Sequence, residues 1–211
     1  MMTTKPAAAR SRRDYVTAGL ASMMGTTIEW YDFFLYGTAA ALIFNKIFFP
    51  AFDPLTGTLA AFATYSVGFF ARPLGGVIFG HYGDKIGRKS MLLITLLLMG
   101  VPTILIGLIP SYEQIGYWAA VLLVLMRFLQ GIAVGGEWGG AVLMAVEHAP
   151  EGKKGFFGSL PQAGVAPGLI LSSLAMGAVA ALPEEDMLSW GWRLPFLASV
   201  CLLYTSPSPR D

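Results

Sequence analysis

The segment from Met91 to Ile109 reads MLLITLLLMGVPTILIGLI and contains no charged residue. A helix needs about 20 mostly apolar residues to cross the hydrocarbon core of a bilayer. An uncharged apolar run of this length therefore predicts a transmembrane helix.

The composition of the whole chain supports the same class of protein. Hydrophobic residues make up 55% of the 211 residues and charged residues 13%, about half the charged share of an ordinary soluble domain. The formal net charge is +1, which argues against nucleic acid as a partner. Cys201 is the single cysteine, so neither an internal disulfide nor a Cys/His metal site is expected.

Apolar runs of similar length recur along the chain. They cover approximately residues 15–44, 59–79, 91–109, 117–146, 156–182 and 190–200, and the last run is only partial. The first run is too long for a signal peptide and carries two acidic residues, so it is predicted to be a span. The sequence thus predicts an all-α polytopic membrane protein with a six-helix bundle over residues 15–200 and a truncated sixth helix.

Basic residues fall mainly on one side of these spans. The N-terminal tail, residues 1–14, and the loops after spans two and four contain nine Lys and Arg residues, against two in the opposite loops. The nine are Lys5, Arg10, Arg12, Arg13, Lys85, Arg88, Lys89, Lys153 and Lys154, and the two are Lys46 and Arg193. Since cytoplasmic loops carry the basic excess, we predict a multi-pass protein of the cell (inner or plasma) membrane with a cytoplasmic N-terminus.

The last residues differ in character from the spans. Residues 201–211 read CLLYTSPSPRD, and the Ser-Pro run is typical of a disordered tail. The segment also resembles translated sequencing-adaptor read-through. We therefore predict that residues 201–211 are a non-native or disordered tail, and that the natural chain continues and differs after Val200.

Apart from Arg193 at the mouth of the sixth run, five charged residues lie inside the apolar runs, where each costs at least about 2.5–3.5 kcal/mol to insert. They are Glu29, Asp32, Arg72, Arg127 and Glu137. Glu29 and Asp32 are three residues apart and so share one helical face, at a depth similar to that of Arg127. One interpretation is a proton and substrate site, because a buried carboxyl group can load a proton and an arginine can hold an anion. The other is a static ion-pair network, and Arg72 would equally serve to brace a helix end.

Span four contains regularly spaced glycines, and span five contains two prolines. Gly131, Gly135 and Gly139 recur every four residues, a spacing that favours close packing of helix backbones. Pro161 and Pro167 lie in span five, where such interruptions usually line a cavity or allow a helix to bend.

The loop between spans two and three reads GHYGDKIGRKS from Gly80 to Ser90. Arg88 separates Gly87 from Lys89 and a membrane helix precedes the loop, which excludes a phosphate-binding loop. The glycines instead favour a tight turn between two helices. The candidate residues of this loop are Gly80, Gly83, Asp84, Lys85, Gly87, Arg88 and Lys89.

This loop resembles the signature loop of the major facilitator superfamily, Gly-x-x-x-Asp-Lys/Arg-x-Gly-Arg-Lys/Arg. The segment RFLQG at 127–131 resembles that superfamily's Arg-x-x-Gln-Gly motif. The segments EWYDF at 29–33, ARPLGG at 71–76, GGEWGGA at 135–141 and WGWRLPF at 190–196 resemble its metabolite:proton symporter family, most of all the shikimate and α-ketoglutarate transporters. The resemblance covers about residues 15–200.

The resemblance implies the N-terminal six-helix half of a twelve-helix transporter that moves a small organic acid or zwitterion with protons by alternating access. It implies that the loop with Asp84, Gly87 and Arg88 gates the cytoplasmic side, and that Arg127 is linked to coupling. The acidic residues Glu29, Asp32 and Glu137 occupy family-typical positions, and which of them carries the proton stays open. The implied partners are the lipid bilayer, a carboxylate or zwitterionic metabolite and the missing C-terminal half. No cofactor other than the proton is expected.

Other interpretations stay open at this point. A half-sized transporter would complete its pore as a dimer, and the same fold would also suit a non-transporting sensor or scaffold. An enzyme is not expected, because His81 and His148 lie in predicted cytoplasmic loops and neither Gly-x-Ser-x-Gly nor His-Glu-x-x-His occurs.

Overall fold

The computed structural model describes residues 12–86, 88–148 and 152–205, and over these ranges the chain is helical, without strands. The helices are α1 (Arg12–Ala39), α2 (Asn45–Phe48), α3 (Pro54–Ile86), α4 (Arg88–Leu108), α5 (Tyr112–Ile115), α6 (Tyr117–His148), α7 (Lys154–Ala163), α8 (Val165–Ala180), α9 (Glu184–Asp186) and α10 (Arg193–Thr205). Two π-helical segments, Ala40–Phe44 and Met187–Gly191, precede α2 and α10. The all-α fold predicted from the sequence is confirmed.

The described elements form six long rods. The first rod runs without a break through α1, the π-helical segment Ala40–Phe44 and α2. The second, third and fourth are α3, α4 and α6, the fifth is α7 with α8, and the sixth is α10. Helix α10 extends to Thr205, into the segment predicted as a tail, while residues 206–211 and residues 1–11 of the basic tail lie outside the described ranges.

The fifth rod is divided at Gly164, between α7 and α8. Pro167 has no backbone N–H, and its ring crowds the carbonyl of the residue four positions earlier. That residue is Ala163, the last of α7. Gly164 also lies against the first rod, because a Cβ at this position would be 2.4 Å from Met23 O. The break therefore follows from the proline, and the glycine allows the broken rod to approach α1.

The turn predicted over residues 80–90 is wrong for residues 80–86 and 88–90. Helix α3 continues through Gly80 and Gly83 to Ile86, and α4 begins at Arg88. Neither Gly80 nor Gly83 has a positive φ. A glycine costs only about 1 kcal/mol relative to alanine in a helix, which is too little to end a helix whose backbone hydrogen bonds continue. Gly87 lies outside the described residues.

The most extensive helix pair is α3 with α6, whose backbones touch. A Cβ at Gly131 would be 2.2 Å from Gly68 O, and one at Gly135 would be 1.9 Å from Arg72 O. The contact is reciprocal, since a Cβ at Gly75 would be 1.9 Å from Ile132 O. Real Cβ atoms do not approach other atoms this closely, so only glycine fits at these three positions.

Aromatic rings and one arginine join the rods at the end of the bundle where α1 and α2 finish. Phe44 and Phe48 pack edge-on against Trp192, with ring centroids 5.9 and 5.8 Å apart. Arg193 Nη1 donates to Gly107 O at 2.9 Å and to Ile109 O at 2.8 Å. A cation at these carbonyls caps the C-terminus of α4, where the helix dipole is negative.

An exposed ion pair lies at the same end. Lys46 Nζ donates to Glu184 Oε1, which links α2 to α9. The hydrogen bond and the charge of Lys46 hold the pKa of the Glu184 carboxyl below its usual value.

The outer surface of the bundle is apolar. Phe70 is 81% exposed and Val77 is 73% exposed, both on α3. Two described stretches, Tyr117–Gly136 and Lys154–Ala180, are long and apolar enough to cross a membrane by length and composition. Large exposed apolar surfaces of this kind are typical of contact with lipid or with another protein segment.

We expect Gly75→Ala to lower the melting temperature of the detergent-solubilised protein, because the added methyl group would overlap Ile132 O. Overpacking of this kind costs about 1–3 kcal/mol. Gly80→Ala is the matched control on the same helix, since a Cβ there meets no atom within 4 Å. It should leave the melting temperature unchanged or raise it slightly, and equal destabilisation by both variants would contradict the described contact.

Candidate functional site

Asp32 is buried on α1, with 4% of its surface exposed. Its two carboxylate oxygens are held by two other rods. Thr103 Oγ1 of α4 lies 2.6 Å from Oδ2, and Ser199 Oγ of α10 donates to Oδ1 at 3.1 Å. The carboxyl group is therefore positioned by hydroxyl groups that come from distant parts of the chain.

A continuous chain of hydrogen bonds connects Asp32 with Arg127. Gln130 Nε2 donates to Thr103 Oγ1 at 2.7 Å, and Arg127 Nη1 donates to Gln130 Oε1 at 3.0 Å. Gln130 and Arg127 lie one turn apart on α6, while Thr103 lies on α4. A carboxyl group and a guanidinium group in the interior are thus coupled through two neutral side chains, without direct contact.

Aromatic rings surround the buried guanidinium group of Arg127. Its Cζ atom is 4.4 Å from the ring centroid of Tyr36 and 4.8 Å from that of Tyr65. Cation–π contacts of this length stabilise a desolvated arginine. Within the described part of the chain, Arg127 Nε has no hydrogen-bond acceptor. Gly68 makes room for the side chain, because a Cβ there would be 3.0 Å from Nε.

Arg72 of α3 is less deeply buried than Arg127. Its Cζ atom lies 4.6 Å from the ring centroid of Phe69 and 5.5 Å from that of Phe33. The rings hold the guanidinium group without using its N–H donors. Pro73 follows directly and cannot donate to the helix, so the backbone is locally loosened beside this arginine.

A cleft brings the charged groups of three rods together. It is lined by Glu29, Asp32, Phe33, Arg72, Met99, Arg127, Gln130 and Val134. Glu29 is 6% exposed, so this carboxyl group is buried as well. Two acidic and two basic side chains share one cleft, which leaves it formally neutral when all four are ionised.

The structure unites four of the five charged residues singled out from the sequence, namely Glu29, Asp32, Arg72 and Arg127. The side chain of the fifth, Glu137, lies outside the described part of the chain, as do the side chains of Asp84, Arg88 and Lys89. Lys85 is exposed at the end of α3, remote from the cleft lining. Gly139 lies on α6 and Pro161 on α7, and nothing further is described at those two positions.

No site role was expected from the sequence for Thr103, Gln130 or Ser199, although Gln130 is part of the RFLQG segment at 127–131. Gln130 had a usable signal, because it lies three residues after Arg127 and so shares its helical face. Thr103 and Ser199 had none. Each hydroxyl residue is isolated in an apolar run, and Ser199 is 167 positions from the carboxylate that it contacts.

Among the described side chains, no group of three or more His, Cys, Asp and Glu residues is arranged to hold a metal ion. The polar side chains that line the cleft carry carboxyl, guanidinium and amide groups, which can hold protons and anions.

Comparisons with known proteins agree on one kind of protein. The family description "Sugar (and other) transporter" matches residues 17–204. The shikimate transporter of Escherichia coli strain K12 is 54% identical over 92% of this chain and 44% of its own length. The proline/betaine transporter of the same strain is 43% identical over 86% of this chain and 36% of its own length. This chain therefore spans less than half the length of these relatives.

Solved structures show the same fold at lower sequence identity. A partially occluded, inward-open conformation of the xylose transporter XylE from E. coli superimposes with a TM-score of 0.73 at 20% identity. The match covers 93% of this chain and 51% of that chain. The six-rod bundle thus corresponds to about half of a major facilitator fold.

We expect Gln130→Met and Thr103→Val to be energetically coupled, because they remove two ends of one hydrogen bond. Unfolding free energies of the wild type, both single variants and the double variant should give a coupling energy of about 0.5–3 kcal/mol. Thr38→Val replaces Thr103→Val in the control cycle, since Thr38 Oγ1 donates to Phe34 O of its own helix. That cycle should be additive, and additivity in both cycles would contradict the hydrogen-bond chain.

Proposed function

The chain belongs to the Sugar (and other) transporter family, whose members are membrane transporters and not enzymes, and from that premise we propose that it takes part in proton-coupled symport of a small metabolite. The symport would proceed by alternating access across the cell's inner or plasma membrane. In family members of full length a second half completes such a site at the interface of two repeats. We propose that in this protein the second half is supplied by additional sequence that these 211 residues do not include. The basic excess in the N-terminal tail and adjoining loops supports a cytoplasmic N-terminus.

The observation that carries the proposal is the Asp32–Thr103–Gln130–Arg127 chain at the cleft. A buried carboxyl group held by hydroxyls can be satisfied in either protonation state, because a hydroxyl both donates and accepts. The carboxyl group also lines the cleft that it shares with Arg72 and Arg127. Asp32 is therefore the proposed proton carrier.

Arg72 is the proposed anchor for the substrate. Arg127 is buried and enclosed by Tyr36, Tyr65 and Gln130. Arg72 also lies against aromatic rings, but it is more accessible than Arg127. A guanidinium group presents a planar fork of donors that matches a carboxylate. This chemistry favours a small organic acid, and the 54% identity to the E. coli shikimate transporter supports it, since shikimate is itself a carboxylate. The similarity to proline/betaine transporters keeps a zwitterion as the alternative.

Uptake of labelled shikimate, proline and betaine into vesicles that contain the complete gene product tests the proposal. Under an inward proton gradient we expect accumulation of shikimate above equilibrium, and collapse of that accumulation on adding a protonophore. Accumulation of proline or betaine alone would replace the organic acid with a zwitterion. Absence of uptake for all three probes would contradict transport of these classes and favour a sensor or scaffold.

We expect Asp32→Asn to abolish uphill accumulation, because the amide cannot load a proton. Asp53→Asn is the matched control. Asp53 is exposed before α3, where its carboxylate accepts hydrogen bonds from Thr56, and asparagine caps a helix equally well. Accumulation by Asp32→Asn at the level of Asp53→Asn would remove Asp32 from the proton pathway.

We expect Arg72→Gln to raise the KM for shikimate by about tenfold or more, since a hydrogen bond to a charged group is worth about 1.5–3 kcal/mol. The maximal rate should fall less than the affinity if Arg72 acts mainly in binding. An unchanged KM would argue that Arg72 only braces the helix beside Pro73.

A further inference from the structure

Three polar groups, one each from α1, α6 and α4, lie within hydrogen-bond distance of the Thr103 hydroxyl. Asp32 Oδ2 lies 2.6 Å away, Gln130 Nε2 lies 2.7 Å away and Met99 O lies 3.0 Å away. The residue is completely buried. A threonine required only for helix packing would need no more than the bond to the carbonyl four residues earlier.

The single proton of the Thr103 hydroxyl limits the hydrogen bonds that this group can donate. A hydroxyl has one proton to donate and two lone pairs that accept. Gln130 Oε1 accepts from Arg127, so its Nε2 group is the donor towards Thr103. The Thr103 proton therefore has two competing acceptors, Asp32 Oδ2 and Met99 O, and can serve only one of them at a time.

We propose that Thr103 is a positioning residue for proton coupling, whose hydroxyl turns between Asp32 and Met99 as Asp32 loses and gains a proton. When Asp32 is ionised, Thr103 donates to Oδ2. When Asp32 is protonated, the carboxyl group donates to Thr103 Oγ1, and Thr103 donates to Met99 O. The proton that Asp32 carries comes from water and returns to water, and the O–H bond of Thr103 is never broken.

Both arrangements leave the rest of the chain intact. Thr103 Oγ1 still accepts from Gln130, and Gln130 still accepts from Arg127, so the buried guanidinium group keeps its bond in either state. The proposal rests on the proposed function, because it assigns to Thr103 a role at the proton site of that transporter.

The surroundings of Asp32 single out Thr103 for this role. The charged groups that share its cleft are Glu29 from its own helix, Arg72 from α3 and Arg127 from α6. From α4 and α10 the carboxyl group meets hydroxyls. Among the described residues, Ser199 Oγ is hydrogen-bonded to Asp32 and to no alternative acceptor, so it has nowhere else to direct its proton.

Infrared difference spectroscopy between acid and alkaline pH tests the proposal on the complete gene product in liposomes. The band of the protonated Asp32 carboxyl is identified by its loss in Asp32→Asn. In Thr103→Val we expect this band at higher frequency, because the acid has lost its acceptor, whereas Thr103→Ser should keep the wild-type position. Thr38→Val is the control, since its hydroxyl bonds only within α1 among the described residues. Thr103→Ala serves the same purpose if Thr103→Val does not purify as a monodisperse protein.

A transport measurement on the same samples separates coupling from folding. Thr103→Val should lose uphill shikimate accumulation by about tenfold or more, the factor expected for a lost hydrogen bond to a charged group. Shikimate counterflow between equal internal and external concentrations does not require net proton turnover, and it should be retained. Thr103→Ser should retain both activities.

The two proposals fail in different ways. A wild-type protein that accumulates none of the probes overturns the proposed function, while the infrared band still decides the role of Thr103. A band in Thr103→Val at the wild-type position overturns the role of Thr103. Wild-type uphill accumulation by Thr103→Val would overturn it as well, and would leave the transporter proposal standing.

Discussion

The backbones of α3 and α6 touch, and the positions of the basic groups in the cleft follow from that contact. Gly131 lies against Gly68 O and Gly135 against Arg72 O, at distances that exclude any Cβ. The same contact opens the space beside Gly68 into which the Arg127 side chain extends. Because the two helices approach so closely, Arg72 and Arg127 line one cleft and do not face separate parts of the membrane.

Burial of ionised groups is then made tolerable by several weak interactions together. Arg127 has one hydrogen bond to Gln130 and two aromatic faces within 5 Å. Asp32 has two hydroxyls from other helices. Charges removed from water are costly unless they are hydrogen-bonded or paired. Asp32 and Arg127 are connected indirectly through Thr103 and Gln130, so the buried carboxyl and guanidinium groups do not form a direct ion pair.

The predicted all-α fold is confirmed, because runs of apolar residues carry its physical cause. Charged side chains inside apolar runs singled out Glu29, Asp32, Arg72 and Arg127, because insertion of each is costly wherever its helix lies, and the structure places all four at one cleft. Prediction from the sequence was wrong over residues 80–86 and 88–90, where glycines suggested a turn but α3 continues to Ile86 and α4 begins at Arg88. Glycines at this spacing are compatible with a turn and also with a continuous helix, since the cost of a glycine in a helix is small compared with the backbone hydrogen bonds of the helix.

The amino-acid sequence alone indicates an all-α membrane bundle with charged residues inside its spans, because hydrophobic length and the insertion cost of a charge are local properties. It also determined the family through segments such as RFLQG at 127–131. The neutral side chains that contact the charged groups are identified only by the packing of the helices. Thr103 and Ser199 reach Asp32 from positions 71 and 167 residues away, and no local pattern records such a contact. A hydrogen bond depends on distance and direction in space, and those are set by how the rods pack.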